Sequence, residues 1–447
     1  MKPLNFFKFN ANGAGENELV LVVGNPGSTG RYLTMSQLYF QRDAQIPAIL
    51  DYLQARMKIL TAYREGVSNF QKSDSIRSTV FSLSNSNKAY VGRLGGMRDE
   101  YLMARKENKE KEVRANSPKE GDDPWNKIEA NMVEMRQVFG DNFVLNPQPL
   151  RGKVLAMIHD LYKYEEALKA NKTEDVTKLS AIISGRLKQF DVSLERQLFA
   201  VLIDEMRAHA KGKYVQELFG DKNAYNAAEE LLATTKVFDP KSLEKMLKLT
   251  ADKLAANMDP MLVAARKIGP AFTQAQTKVA ALNKDNTTWQ EKVVRAQFAL
   301  SGTNTPPDAS FSLRFADGVV KRFDYNGTTA PYKTTFYGLY DRHFSNDGEF
   351  PWNLPTRWMN PPVELLKSPM NFVSTNDIIG GNSGSAIINK NKEVVGLVFD
   401  GNIESLPGYF IYDSKSNRTV SVHAGGIAAA IKYIYKADRL LKELNIE

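Results

Sequence analysis

The chain has 447 residues, more than one hydrophobic core usually supports, so we expect two domains or one domain with a large insertion. Hydrophobic residues make up 43% and charged residues 25%, as in an ordinary globular protein, and no apolar run approaches the ~20 residues of a membrane span. The net charge of +8 is spread over mixed acidic and basic segments without a basic stripe, which argues against nucleic-acid binding.

Several site types are excluded by residue usage. The absence of cysteine excludes disulfides, thiol catalysis and thiolate metal sites. The four histidines are scattered and lack zinc-site spacing, so we expect neither a metal nor a cofactor. Residues 1–8 contain two lysines but no apolar stretch of signal-peptide length, so no export signal is predicted in this chain.

The first region, residues 1–36, contains an apolar strand at residues 19–23. A glycine-rich turn, Gly-Asn-Pro-Gly-Ser-Thr-Gly-Arg, follows at residues 24–31. It lacks the Gly-Lys-Ser/Thr ending of a phosphate-binding loop. We interpret the region as a strand that leaves a sheet or barrel.

The second region, residues 37–298, has helical periodicity almost throughout. Apolar residues recur at spacings of three and four in two stretches, Ile46, Ile49, Leu50, Leu53, Met57 and Leu60, and then Leu198, Val201, Leu202 and Met206. Residues 99–123 are strongly charged, as on a solvated helix face. The region is therefore predicted to be a helical bundle or helical cap.

The third region, residues 299–447, changes to a period of two. Phe311, Leu313 and Phe315 alternate with polar residues, and Asp317-Gly318 predicts a type I′ turn before a strand at residues 319–325. A second hairpin is predicted at residues 389–392, between strands at 386–388 and 394–399, and a final helix at 428–444. The fold class is therefore α+β, a β domain interrupted by a helical insertion.

The residue pattern with the clearest chemistry is Thr-Asn-Asp-Ile-Ile-Gly-Gly-Asn-Ser-Gly-Ser at residues 375–385. Glycines on either side of Ser383 allow a tight turn in which the N–H groups of Gly381 and Ser383 converge on one developing oxyanion. We predict that Ser383 is a nucleophile. The alternative is an ordinary Gly/Asn/Ser turn between strands.

Together with residues 24–31, 332–342 and 396–402, this run resembles the bacterial dipeptidyl-peptidases of serine peptidase family forty-six, from about residue 19 to the end of the chain. The resemblance implies a chymotrypsin-like double β-barrel with a large inserted α-helical domain, and release of dipeptides from peptide N-termini. Residues 1–36 would then be the end of the first β-barrel region, 37–298 the helical domain and 299–447 the C-terminal barrel that carries the nucleophile.

Carried over by residue, the resemblance makes Ser383 the nucleophile and the N–H groups of Gly381 and Ser383 the oxyanion hole. It assigns the substrate's ammonium group to Asp400 and to Asn85, although Asn85 also fits an ordinary helix-surface asparagine. The residue after this aspartate lines the S1 pocket, where arginine favours acidic substrates. Here it is Gly401, so we predict preference for a bulky apolar residue at the second substrate position, while a simple turn glycine is compatible with the same residue.

The family's catalytic histidine and its aspartate lie in the first barrel, and this chain contains neither position. Its histidines are His159, His209, His343 and His423. Among them, His343, which is near Asp341, is the candidate for a substitute base. We therefore predict that the chain is the C-terminal part of such an enzyme and is nearly inactive alone.

Two other functions remain open. A non-catalytic protein would bind peptides with free N-termini in the same groove, and a helical adaptor would dock partners on residues 37–298. The resemblance further implies peptide partners, a homodimer, and a location in the bacterial periplasm or at the cell surface.

Overall fold

The computed structural model describes residues 5–118, 121–188, 190–302 and 306–446. Residues 1–4 of the segment inspected for an export signal lie outside these ranges. The strands within them are β1 Lys8–Phe9, β2 Leu19–Gly24, β3 Arg314–Val319, β4 Phe323–Tyr325, β5 Thr328–Ala330, β6 Lys333–Thr335, β7 Pro369–Ser374, β8 Ala386–Asn389, β9 Glu393–Gly401 and β10 Thr419–His423.

Helices occupy most of the middle of the chain and short parts of its end. They are α1 Met35–Phe40, α2 Ile46–Glu65, α3 Phe70–Arg98, α4 Glu100–Ala115, α5 Pro124–Val144, α6 Lys153–Lys169, α7 Thr173–Arg186, α8 Val192–His209, α9 Tyr214–Phe219, α10 Ala224–Thr234, α11 Pro240–Met246, α12 Ala251–Ala255, α13 Pro260–Ser301, α14 Phe336–Ser345, α15 Val363–Lys367, α16 Ala424–Ala429 and α17 Asp438–Glu443. None of the helices in the described ranges combines the length and the apolarity that crossing a bilayer requires.

The chain forms two compact units. The first, the sheet unit, comprises Met1–Leu33, Gly92–Lys109 and Ser301–Glu447. The second, the helical unit, comprises Thr34–Val91 and Glu110–Leu300. This division differs from the predicted domains 1–36, 37–298 and 299–447 in grouping residues 92–109 with the sheet unit.

The sheet unit contains an eight-stranded sheet in the order β3-β2-β8-β9-β10-β7-β6, with β1 paired to β9. An isolated bridge joins Val320, just after β3, to Ser374 at the end of β7. Next to it, the N–H of Thr375 donates to the carbonyl oxygen of Val319 over 2.9 Å. These bonds link β3 to β7 directly, so the sheet curves back on itself.

The concave side of this sheet encloses the core of the unit. Alternate residues of β2 are buried, as expected for a strand with one covered face. The buried cluster against this sheet consists of Ala14, Val20, Val22, Val320, Phe372, Ile387, Val395 and Val398. Buried Asn376 is fully bonded, since its Nδ2 donates to the carbonyl oxygens of Val20 and Ala316 and its Oδ1 accepts from Ser374. The segment that leads to Ser383 is thus anchored inside the sheet.

The predicted turn at Asp317-Gly318 is wrong. Both residues lie inside β3, where Asp317 pairs with Leu21 and Gly318 pairs with Val20. Gly318 is glycine because a Cβ there would lie 2.5 Å from the N of Asn376. A close backbone approach, not a turn, explains this glycine.

Of the other two elements predicted near the C-terminus, the hairpin is present and the helix is interrupted. The hairpin at residues 389–392 is confirmed, because β8 and β9 pair antiparallel around it. A hairpin that the pattern missed joins β4 and β5 through Asn326-Gly327, both with positive φ, 47° and 73°. The predicted single helix at 428–444 is instead broken at Lys436, whose backbone is left-handed.

The helical unit has the predicted amphipathic helices. Ile46, Leu50, Leu53 and Leu60 are buried on α2, and Leu198, Leu202 and Met206 on α8. In the same unit the fully buried guanidinium groups of Arg56 and Arg151 share the carboxylate of Glu205. Burial lowers the pKa of Arg56 to about 9 and that of Arg151 to about 10.

Candidate active site

The Ser383 turn connects β7 to β8, and two of its glycines have backbones that suit glycine alone. Gly381 has a φ of 109° and Gly384 a φ of 84°. A Cβ on Gly381 would also lie 2.6 Å from the carbonyl oxygen of Asn25 and 2.7 Å from the N of Gly27. The side chain of Ser383 is exposed at the tip of this turn. The local sequence therefore forms a tight turn that presents a serine to solvent.

The amides of this turn fall into two groups. The N–H groups of Asn382 and Gly384 donate to the carbonyl oxygens of Ile379 and Val398, over 3.0 and 2.7 Å. Within the described ranges, the N–H groups of Gly381 and Ser383 have no acceptor. The two donors predicted for the oxyanion hole are thus left available on either side of Asn382.

Asn382 holds the turn from beneath. Its side chain is buried, and its Oδ1 accepts the N–H of Ile379 over 3.1 Å. Together with the backbone bond between the same two residues, this contact closes a small ring before Ser383. The position of Ser383 is therefore fixed by its neighbour.

Strand β9 is hydrogen-bonded to the serine turn and also carries Asp400. Val398 of β9 receives the N–H of Gly384 and donates its own N–H to Ser385, over 2.7 and 2.9 Å. Two residues further along the strand, the exposed carboxylate of Asp400 accepts the N–H of Gly401 over 2.9 Å. The same strand thus supports the turn and carries a carboxylate near it.

Gly401 does not border open space. A Cβ at this position would lie 2.2 Å from the Oγ of Ser405. That hydroxyl is itself held, because it donates to the carbonyl oxygen of Asn402 over 2.6 Å. A glycine is needed here to accommodate Ser405, a reason the sequence pattern did not reveal.

Asn85 is exposed on α3 in the helical unit. Its neighbour Asn87 accepts a hydrogen bond from Gln54 on α2 over 3.4 Å. Asn85 is thus available to solvent, and Asn87 has a structural contact.

The histidines have other partners. The ring of His343 is buried and hydrogen-bonded to the carbonyl oxygen of Trp352 over 2.9 Å. His423 caps α16, its Nδ1 accepting the N–H of Gly425, and burial lowers its pKa to about 4. In the helical unit, His159 bonds to Leu145 and His209 lies 3.3 Å from Asp51.

Consequently, among the residues that the structure describes, no histidine is hydrogen-bonded to Ser383. The substitute base considered for the sequence, His343, instead packs with the loop that contains Trp352. For the same residues, there is no cluster of three or more acidic or imidazole side chains suited to a metal ion.

Sequence reasoning missed the ion pair of Arg31 and Asp377. The guanidinium of Arg31 contacts both carboxylate oxygens of Asp377, at 2.5 and 2.7 Å. Each residue belongs to a motif quoted for the family resemblance, but nothing in their spacing shows that they pair. Their contact joins the loop after β2 to the segment before Ser383.

A family model described as Peptidase S46 matches residues 1–446. The chain belongs to the peptidase S46 family. The family predicted from the motifs is confirmed, and the matching curated relatives are bacterial dipeptidyl-peptidases, so neither the adaptor nor the non-catalytic alternative is favoured.

Over the aligned residues, two of these relatives are about one quarter identical to this chain. An Asp/Glu-specific dipeptidyl-peptidase of Shewanella putrefaciens is 24% identical over 100% of this chain and 67% of its own length. Dipeptidyl-peptidase 7 of Porphyromonas endodontalis is also 24% identical, over 100% of this chain and 56% of its own length. The chain thus spans 56% to 67% of the length of these two relatives.

Solved structures of one bacterial protein share the fold of this chain. The crystal structure of Porphyromonas endodontalis DPP11 matches with a TM-score of 0.77 at 19% identity, covering 99% of this chain and 67% of that one. The same protein in complex with the dipeptide Arg-Glu matches with a TM-score of 0.76 at 18% identity, covering 100% and 67%. At this identity the likeness establishes the fold alone.

Proposed function

We propose that this chain provides the nucleophile and the peptide-binding surface of a serine-type dipeptidyl-peptidase. The observation that carries the proposal is that the N–H groups of Gly381 and Ser383, beside the exposed Ser383, have no acceptor among the residues that the structure describes. Two such donors would stabilise the charge that develops on a substrate carbonyl during acyl transfer. The direct link between β3 and β7 supports a barrel of chymotrypsin-like type for this unit.

In the proposed reaction the Ser383 Oγ attacks the carbonyl carbon of the second residue of the substrate. The hydroxyl proton passes to the triad histidine, which we propose is not supplied by this chain and which later gives the proton to the leaving amine. The tetrahedral oxyanion accepts hydrogen bonds from the N–H groups of Gly381 and Ser383. Collapse expels the rest of the peptide as an amine, which takes up a proton. Water then hydrolyses the dipeptidyl ester and releases the dipeptide, restoring the serine.

The exposed carboxylate of Asp400 would accept hydrogen bonds from the substrate's free ammonium group, and the family resemblance gives the same role to the side-chain oxygen of Asn85. An ammonium group presents three donors and no acceptor, so carboxylate and amide oxygens are its natural partners. Binding of the N-terminus at a fixed distance from Ser383 would limit cleavage to dipeptides. The partners of this chain are therefore peptides with a free N-terminus.

Gly401 brings no positive charge to the pocket that we assign to the second substrate residue. An acidic side chain would lose its hydration there without gaining an ion pair, whereas an apolar side chain would lose little. We therefore retain the preference for a bulky apolar residue. Ser405 fills the space against Gly401, so the proposed preference rests on the missing positive charge and not on free volume beside this glycine.

We further propose that the histidine and aspartate of the triad are not supplied by this chain, and that its turnover alone is close to background. The bonds of His343 and His423 to other groups support this proposal. Loss of a triad member typically lowers turnover by about 10⁴ to 10⁶.

The test uses dipeptidyl chromogenic substrates with leucine, phenylalanine or glutamate in the second position, and a free-amine tripeptide for calorimetry. We expect the chain to turn over these substrates no faster than Ser383→Ala does. We also expect it to bind the free-amine tripeptide, with an affinity that N-acetylation of the peptide and Asp400→Asn each weaken at least about tenfold. Turnover that Ser383→Ala abolishes would contradict the inactivity. Equal binding of the acetylated peptide would contradict the amine site.

Two statements about context are also proposals. We propose a homodimer, which light scattering of the purified chain would test, with a monomeric mass as the contradicting result. We propose a location in the bacterial periplasm or at the cell surface, which fractionation of the source cells would test.

A further inference from the structure

Arg31 has one side chain with two sets of partners. Its Nη1 and Nη2 donate to the two carboxylate oxygens of Asp377, at 2.5 and 2.7 Å. Its Nε and Nη2 donate to the carbonyl oxygen of Gly408, at 3.1 and 2.8 Å. The Arg31 side chain is 16% exposed and that of Asp377 is 29% exposed, so water competes only partly for these bonds.

The two partners belong to different segments. Asp377 lies in the stretch that leads from β7 into the Ser383 turn. Gly408 lies in the 3₁₀ segment Ile403–Tyr409, which follows β9 and contains Ser405. A backbone bond from Gly30 to Tyr409, of 2.8 Å, reinforces the second contact. Arg31 thus connects the serine turn to the segment that packs on Gly401.

The chemistry of this contact requires arginine. A guanidinium offers five donors in a planar fork, so it can hold a carboxylate with two bonds and still reach a carbonyl oxygen. Lysine has a compact ammonium group that could keep the charge but not both sets of bonds in this geometry. Arg31, Asp377 and Asn382 also line one cavity of about 190 Å³, so a shorter side chain would leave this space less filled.

We propose that Arg31 is a positioning residue that fixes the Ser383 turn relative to the Gly401–Ser405 wall. This inference rests on the proposed function, since it assigns Ser383 to the reaction and the wall to the second substrate residue. Arg31 contacts neither the nucleophile nor the substrate. It holds the two segments so that the second substrate residue keeps its position relative to Ser383.

The backbone of Arg31 is held separately from its side chain. Its N–H donates to the carboxylate of Asp308 over 2.8 Å, and the hydroxyl of Thr29 donates to the same carboxylate over 2.5 Å. Replacement of the Arg31 side chain should therefore release Asp377 and Gly408 while the loop itself stays in place.

The test compares the full-length chain with Arg31→Lys by hydrogen exchange and mass spectrometry. A matched control is Arg322→Lys, because Arg322 is in the same unit and likewise holds a carboxylate, that of Glu16, outside both segments. We expect amides of residues 377–385 and 402–410 to exchange about tenfold faster together in Arg31→Lys, with β8 and β9 unchanged and the control like wild type.

Unchanged exchange in either segment would overturn the proposal, and so would equal acceleration throughout the sheet unit, which indicates general destabilisation. If Arg31→Lys fails to fold, Asp377→Asn replaces it, with the acceleration expected in residues 377–385.

Affinities of free-amine tripeptides with leucine or glutamate in the second position are measured in parallel. Their ratio should move toward one in the variant, and an unchanged ratio despite faster exchange would also overturn the positioning role. If the wild-type chain binds neither peptide, the proposed function fails, while the exchange pattern still decides whether Arg31 holds the two segments together.

Discussion

The backbone N–H of Gly27 donates a hydrogen bond of 2.7 Å to the carbonyl oxygen of Gly380. A Cβ on Gly27 would lie 2.5 Å from that same oxygen, so the two backbones are in direct contact. The glycine-rich loop after β2 therefore supports the serine turn. Two motifs far apart in the sequence form one structural element, and glycine at position 27 is needed for the approach.

The first prediction concerns a second close approach between the same two segments, at Gly381. Gly381→Ala places a Cβ against the backbone of Asn25 and Gly27 at a φ of 109°, so we expect a loss of roughly 1–3 kcal/mol in the free energy of unfolding, measured in urea. Gly380→Ala is the matched control, because its Cβ would have no atom within 4 Å. Equal stability of the two variants would refute the strain argument.

The second prediction tests the corrected position of Gly318. Gly318→Ala should be destabilising by at least ~1 kcal/mol, since its Cβ would overlap Asn376, which anchors the segment before the serine turn. Gly338→Ala on the exposed face of α14 should instead stabilise by up to ~1 kcal/mol, as glycine is a poor helix former. A neutral Gly318→Ala would contradict the close approach of Asn376 to this backbone.

The third prediction concerns the wall at Gly401. Gly401→Ala should lower the melting temperature because its Cβ would lie 2.2 Å from the Oγ of Ser405. Ser405→Ala removes that oxygen, so the double variant should recover at least ~1 kcal/mol relative to the sum of the single variants. Additive effects in this cycle would show that the two residues are not in contact.

The fourth prediction is a pH dependence from His423. Because burial lowers its pKa from 6.5 to about 4 in the folded chain, the unfolded chain binds more protons between these values. Stability should therefore be complete above pH 6.5 and fall as the pH drops toward 4, by up to ~1.4 kcal/mol per pH unit from this group.

His423→Asn checks the assignment, since its Oδ1 can still accept the N–H of Gly425 and cap α16. Between pH 4 and 6.5, the slope of unfolding free energy against pH should decrease in this variant by up to ~1.4 kcal/mol per pH unit, which corresponds to the uptake of one proton. An unaltered slope would mean that His423 does not titrate in this range.

The sequence allowed the local elements to be predicted where one rule dominated. Ile46, Leu50 and Leu53 follow helical spacing, and α2 buries them as expected. The hairpin at residues 389–392 combines turn residues with flanking apolar strands, and β8 and β9 confirm it. In both cases neighbours in sequence are also neighbours in space.

Prediction failed where the deciding contact is distant in sequence. Asp317-Gly318 has the composition of a hairpin turn, but pairing with β2 and the approach of Asn376 determine its structure. The pairing of Arg31 with Asp377 depends in the same way on how strands are ordered in the sheet. The predicted roles of Ser383, Asp400 and Asn85 concern chemistry, and they stay predictions.

The central claim is that Ser383 and the free N–H groups beside it form an acyl-transfer site. The most direct measurement is the affinity of a dipeptide boronic acid with a free amine, which forms a tetrahedral adduct with a serine hydroxyl and resembles the transition state. We predict that the chain binds it at least about tenfold more tightly than Ser383→Ala does, with a tetrahedral boron signal in the complex. Equal affinity for both proteins, without that signal, would contradict the claim.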